Sequence, residues 1–296
     1  MSMRNPRLYR WTLANHKTAI LLAAMAMDFL LTGVDVLIAH SESDFFRWEL
    51  IPLVYAPCAV LAIVVQAVLP PSGVVRRTFQ VVMWSGVVVG FLGTFLHLTG
   101  NATSGPVALH QLLVTGSPIA APIAFAGIAS FALASERHRG PVRSSKLLDL
   151  VGIGFLGAVL AAFFDHARLG FIPWYTLIPL GTGALATVAC FYMARRRQSR
   201  AETYIFFSVL TLSLLVGFLG FGLHLLGDLS GTETIVWARL LYRAPLLGPL
   251  LFSNLAMLGA LAMLPETDDW SVTSPSSDGR VSGEGDPPHA DRVGNV

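Results

Sequence analysis

Four histidines fall in two matched pairs, each at the end of a long apolar run: His40 with His97, and His166 with His224. Imidazole is the commonest side-chain ligand of transition metals, and a neighbouring carboxylate can fix its tautomer or join it as a ligand. Asp228 stands four residues after His224, a spacing that puts both on one face of a helix. His40, His97, His166, His224 and Asp228 are therefore the candidate metal ligands, for copper, iron or zinc, or for haem b with axial histidines. His110 is expected at the same depth, and Asp44 and Glu49 in the adjacent loop. A second candidate is Asp28, in the middle of the first apolar run. An ionisable group at that depth costs about 2.5–3.5 kcal/mol on insertion scales, which makes it a functional candidate by default. Asp35 follows seven residues later on the same face, and with His40 the two carboxylates would form a proton path. No Lys or Arg lies at matching depth, so Asp28 is expected to be protonated, to face a wet cavity, or to bond a Ser or Thr of a neighbouring helix.

The histidines sit inside a repeat. Val89–Asn101 reads VGFLGTFLHLTGN and Val216–Asp228 reads VGFLGFGLHLLGD, identical at nine of thirteen positions with an offset of 127. The same offset relates Pro118 and Pro122 to Pro245 and Pro249, and Ile51-Pro52 to Ile178-Pro179. An offset of 126 relates His40 to His166 and Trp48 to Trp174, so one residue was gained or lost between them. On a helix, Gly90, Gly93, His97 and Asn101 share a strip about 80° wide, as do Gly217, Gly220, His224 and Asp228. Such glycines let helices approach closely. The other reading of Gly90, Gly93, Gly217 and Gly220 is a cofactor-binding surface with room for a flat group or a lipid-like tail.

The elements that must carry these residues are membrane helices. The chain is 54% hydrophobic and 13% charged, against about 25% charged for a soluble domain. Apolar runs lie near 18–39, 50–69, 78–99, 112–135, 147–168, 172–194, 203–227 and 240–264. Each reaches the roughly 20 residues that a helix needs to cross hydrocarbon, and none alternates as a barrel strand does. The expected fold is an all-α membrane protein of eight transmembrane helices. They form two tandem parallel four-helix repeats, related by a pseudo-twofold along the membrane normal. The division is a polar N-terminal segment (1–17), a first repeat (18–135), a second repeat (136–264) and a disordered Gly/Pro-rich acidic tail (265–296). The first run has a basic start like a signal peptide, but Asp28 and Asp35 interrupt it and the repeat requires it as a span.

Fourteen Lys and Arg fall on one side of this topology, including Arg137, Lys146 and Arg195–Arg197, and four on the other: Arg47, Arg168, Arg239 and Arg243. The basic side is expected to be cytoplasmic, with both termini inside an inner membrane and the histidines outside. Phe45, Phe46, Trp48, Trp174, Tyr175 and Trp237 read as an interfacial aromatic belt. Cys58 and Cys190 read as buried small hydrophobes. No HExxH, CxxC, haem-attachment, phosphate-loop or dinucleotide motif is present, and nothing points to nucleic acid. In layout alone the chain resembles the eight-span copper-resistance membrane proteins, with histidines near the outer face, and the eight-span quinol-handling subunits built from two four-helix bundles; the motif of neither group is matched. The leading expectation is a metal- or haem-binding membrane protein for electron transfer or metal handling. It would have membrane lipid around it and a membrane or periplasmic redox partner. The alternatives are a proton-coupled permease of small solutes or ions using Asp28, and a non-catalytic membrane subunit or assembly factor that binds partner helices through its glycine faces.

Overall fold

The computed structural model describes residues 6–41, 45–70, 72–103, 118–137, 140–196, 199–230 and 247–264. These form eight α-helices and one 3-10 turn, with no strand among the described residues. In chain order they are α1 (Pro6–Ser41), α2 (Leu50–Val68), α3 (Gly73–Thr103), α4 (Ile123–Arg137), α5 (Gly140–Ala167), α6 (Ile178–Arg195), α7 (Arg200–Leu229) and α8 (Leu250–Ala262); the 3-10 turn Trp174–Leu177 leads into α6. Six segments are long and apolar enough to cross a bilayer: His16–Ser41, Leu50–Val68, Gly73–Gly100, Val142–Ala167, Trp174–Arg195 and Arg200–Leu229. The protein is thus a helical, multi-pass membrane protein. In hydrocarbon the backbone must satisfy its own hydrogen bonds, and uniformly apolar runs do so as helices.

Helix α1 begins at Pro6, so the described part of the polar N-terminal segment continues into the first apolar run as one helix. Lys17, one of the fourteen basic residues counted on the expected cytoplasmic side, is almost fully buried. Its Nζ donates to the carbonyls of Ala262 (3.1 Å) and Leu264 (2.6 Å), at the end of α8, and to Ser144 Oγ (3.3 Å). A cation there satisfies carbonyls that the helix end leaves open. Among the described residues α4 and α8 begin directly after Pro122 and Pro249; residues 112–117 and 240–246 of the expected runs lie outside the described residues. Proline has no N–H to give and restricts the residue before it, which sets these starts. The described lengths of α4 and α8, 15 and 13 residues, fall short of a full span.

The helices pack in a ring within each half. Helix α1 contacts α2 and α4, and α3 contacts the same two; α5 contacts α6 and α8, and α7 contacts the same two. The halves meet where α4 packs on α5 and α1 on α8. The buried positions recur between halves. Leu21, Leu22, Met25 and Phe29 of α1 are buried, and so are Leu147, Leu148, Val151 and Phe155 of α5. Phe79 and Phe125 are matched by Phe206 and Phe252, and Ala59 and Ala129 by Ala186 and Ala256, all buried. In the first half Phe29, Tyr55 and Phe125 interlock with ring centroids 5.7–6.1 Å apart. Tyr55 donates its hydroxyl to the Val82 carbonyl at 3.1 Å. Gly86 makes that possible, because a Cβ there would overlap the Tyr55 hydroxyl. The outward faces are apolar, with Val68 and Val81 at 74% and 68% exposure among the most open positions. Cys58 is on this exposed surface, not in the core as expected, while Cys190 is buried.

Candidate functional site

Each half brings its two histidines together at the end away from the basic loops. In the first half His40 closes α1 and His97 lies in the last third of α3. Their rings meet edge to face, with centroids 6.2 Å apart. The Nδ1 of His97 is 3.0 Å from the Pro118 carbonyl, a contact that a protonated Nδ1 makes as donor. The Nδ1 of His40 is 3.4 Å from Glu49 Oε1. Glu49 is positioned by the short turn before α2, where it also accepts from the Phe46 N–H at 2.9 Å. Committing Nδ1 to an oxygen orients an imidazole and sets its tautomer.

His166 and His224 also come within electrostatic reach of each other, with different partners. His166, at the end of α5, interacts electrostatically with His224 of α7 and with Asp165. Asp165 also feels Arg168. His166 hydrogen-bonds to the main chain at Thr176, and its Nδ1 is buried with no hydrogen-bond partner. The i,i+4 neighbour of His224, Asp228, is almost fully buried, and its Oδ2 has no hydrogen-bond partner. Among the described residues no group of three or more His, Cys, Asp and Glu is arranged to hold a metal ion. His110, Asp44, Trp237, Arg239 and Arg243 lie outside the described residues.

The repeated glycines serve a close approach of helices. A Cβ on Gly90 would stand 2.7 Å from the Ala126 nitrogen, and one on Gly93 would stand 2.7 Å from Pro122 Cβ. At Gly217 it would meet the Ser253 hydroxyl and stand 2.7 Å from the Ser253 nitrogen; at Gly220 it would stand 2.8 Å from Pro249 Cβ. In both halves, then, the paired glycines receive the proline turn and first residues of the helix that follows. The ridge of α4 or α8 fills the space in front of them. Ser253 Oγ crosses the same contact to donate to the Leu214 carbonyl at 2.7 Å.

Asp28 is buried on α1, and its partner is the Asn254 side chain of α8, not the Ser or Thr expected. Its Oδ2 is buried without a hydrogen-bond partner. The signal for Asn254 was present in the sequence as the one carboxamide of the last apolar run. Nothing there indicated that α8 would return to α1. The position matching Asp28 in α5 is Gly154, so the pair belongs to one of the two seams between halves. Asp35 is half-buried one heptad further along α1. No family model, curated protein or solved structure matches this chain.

Proposed function

We propose that the chain is two tandem parallel four-helix units in an inner membrane, and that the paired histidines at its outer end bind transition-metal ions for electron transfer or metal handling. The repeat offsets, the recurrence of buried positions and the like packing of each half support the two-unit layout. The excess of Lys and Arg at the opposite end supports an outward-facing histidine end with both termini cytoplasmic.

The observation that supports the metal reading is the His40–His97 pair, with the rings in contact and each Nδ1 set against an oxygen. Imidazole with a nearby carboxylate is a borderline N/O donor set that suits copper or zinc. His166, His224 and Asp165 supply the same donor types in the second half. An ion is favoured over haem b because Pro122, Ala126, Pro249 and Ser253 occupy the space before the glycines that a macrocycle would use. Elemental analysis and an absorption spectrum of the detergent-purified protein test this. Two copper or zinc ions per chain are expected, falling to one in His97→Ala or His224→Ala and to none in the double variant. A metal-free, colourless protein with unchanged folding refutes the reading, and a Soret band transfers it to haem.

A second reading is a proton-coupled permease, supported by the buried Asp28 carboxylate with its open Oδ2 at the α1–α8 seam. It expects pH-dependent solute or ion flux in vesicles that Asp28→Asn abolishes while leaving metal content unchanged.

A further inference from the structure

The two seams between the halves carry different chemistry. At the α1–α8 seam Asp28 meets Asn254, and Lys17 is turned inward onto the end of α8. At the other seam, where α4 packs on α5 beside α3, a cleft of about 330 Å³ opens near the basic end. That volume is within the usual range for small-ligand sites, about 300–1,000 Å³. Arg137, Lys146 and Asp149 rim the cleft, and Trp84, Leu133, Ala134 and Leu150 line it.

The charges in this cleft do not cancel. Asp149 Oδ1 is taken by Arg195 Nη1 at 2.7 Å. The neighbouring carboxylate, Glu136, is taken by Arg76 at 2.8 Å. Among the described residues no carboxylate is paired with Arg137 or Lys146. Arg137 lies over the Trp84 ring at 5.8 Å, a cation–π contact that fixes the guanidinium beside the cleft and leaves its N–H edge for an acceptor. Trp84 is seven residues along α3 from Arg77, so its ring lies about 10 Å toward the apolar zone from the basic loop. Below the cleft the surface is aliphatic, with Val88 and Ile153 exposed. The repeat gives a control, because the matching positions at the other seam are Thr211 for Trp84, Leu264 for Arg137, Ile20 for Lys146 and Ala23 for Asp149. The set of Trp84, Arg137 and Lys146 thus belongs to one seam, while Lys17 at the other is committed to the end of α8.

We propose that this cleft binds one anionic phospholipid, its phosphate held by Arg137 and Lys146 and its acyl chains lying along α3 and α5. The lipid would bridge helices of both halves and so strengthen the α4–α5 seam. Juxtaposed basic groups between transmembrane helices recognise lipid phosphates in this way.

The test uses the full chain in detergent. It is titrated with phosphatidylglycerol, with phosphatidylcholine, or with inorganic phosphate, and bound lipid is counted by native mass spectrometry alongside the unfolding midpoint. One phosphatidylglycerol per chain is expected with a raised midpoint, and neither from phosphatidylcholine or phosphate. Arg137→Gln/Lys146→Gln should bind about 30-fold more weakly, from the typical attraction per basic group. Arg77→Gln/Arg200→Gln, equal in charge change but outside the cleft, should bind as the wild type does. Equal loss in both doubles means a general basic surface and overturns the proposal. Phosphate alone raising the midpoint means a soluble anion and also overturns it. Should the cleft variant fail to fold, the wild type decides: a diazirine-bearing phosphatidylglycerol must crosslink to peptides containing Val81, Trp84 or Leu150, and crosslinks scattered over all helices refute the site.

Discussion

Replacing Gly217 by alanine tests the central packing claim most directly. The added Cβ would overlap the Ser253 hydroxyl and stand 2.7 Å from the Ser253 nitrogen and 2.9 Å from the Pro249 carbonyl. Two of these three atoms are backbone, so α8 must move as a unit. Overpacking of that kind costs about 1–3 kcal/mol. Displacing Ser253 Oγ from the Leu214 carbonyl adds about 0.6 kcal/mol, the average for interhelical hydrogen bonds in a membrane. Helix propensity returns at most about 1 kcal/mol. The net expectation is a loss of about 0.6–2.6 kcal/mol. Gly222→Ala is the internal control on the same helix, because nothing lies within 4 Å of its Cβ; it should be neutral or slightly stabilising. The assay is reversible unfolding in mixed micelles, followed by circular dichroism as the fraction of denaturing detergent rises. Gly90→Ala, facing the Ala126 nitrogen at 2.7 Å, should behave as Gly217→Ala does. Equal midpoints for Gly217→Ala and Gly222→Ala would refute the argument that the repeated glycines exist for helix approach.

Further outcomes follow from single contacts. Asn254→Leu should cost about 1–3 kcal/mol by leaving the Asp28 carboxylate without its partner, whereas Asp28→Leu/Asn254→Leu should recover most of that; a thermodynamic cycle in the same micelle assay measures the coupling. Lys17→Met removes the donor that serves the Ala262 and Leu264 carbonyls and should destabilise the protein by about 1.5–3 kcal/mol, with amide exchange rising first at the end of α8. In detergent, Cys58 should react with a maleimide while Cys190 resists until unfolding, as read by mass shift. For orientation, a cysteine at the exposed position Leu169 should be labelled by an impermeant maleimide on intact cells, and one at the exposed position Leu69 only after permeabilisation; the reverse pattern would invert the topology.

The helical membrane class of this protein is legible in its sequence, because it follows from a local rule, and the sequence offset can be read there directly. Long apolar runs must become helices in hydrocarbon. An offset of 126 or 127 that aligns histidines, prolines and glycines also aligns Phe29 with Phe155 and Phe125 with Phe252, whose burial in both halves was implicit in the repeat. The pairing of His40 with His97 could be anticipated, since both ended runs at one depth. Contacts between distant segments had no such signal. That Asn254 answers Asp28, that Lys17 turns inward to the end of α8, and that Arg137 and Lys146 converge on Trp84 depend on which helices become neighbours. Hydropathy sets how deep a residue sits but leaves the rotation of each helix and the choice of its neighbours open. Those are decided by packing, here by Gly90, Gly93, Gly217 and Gly220 receiving the proline turns of α4 and α8.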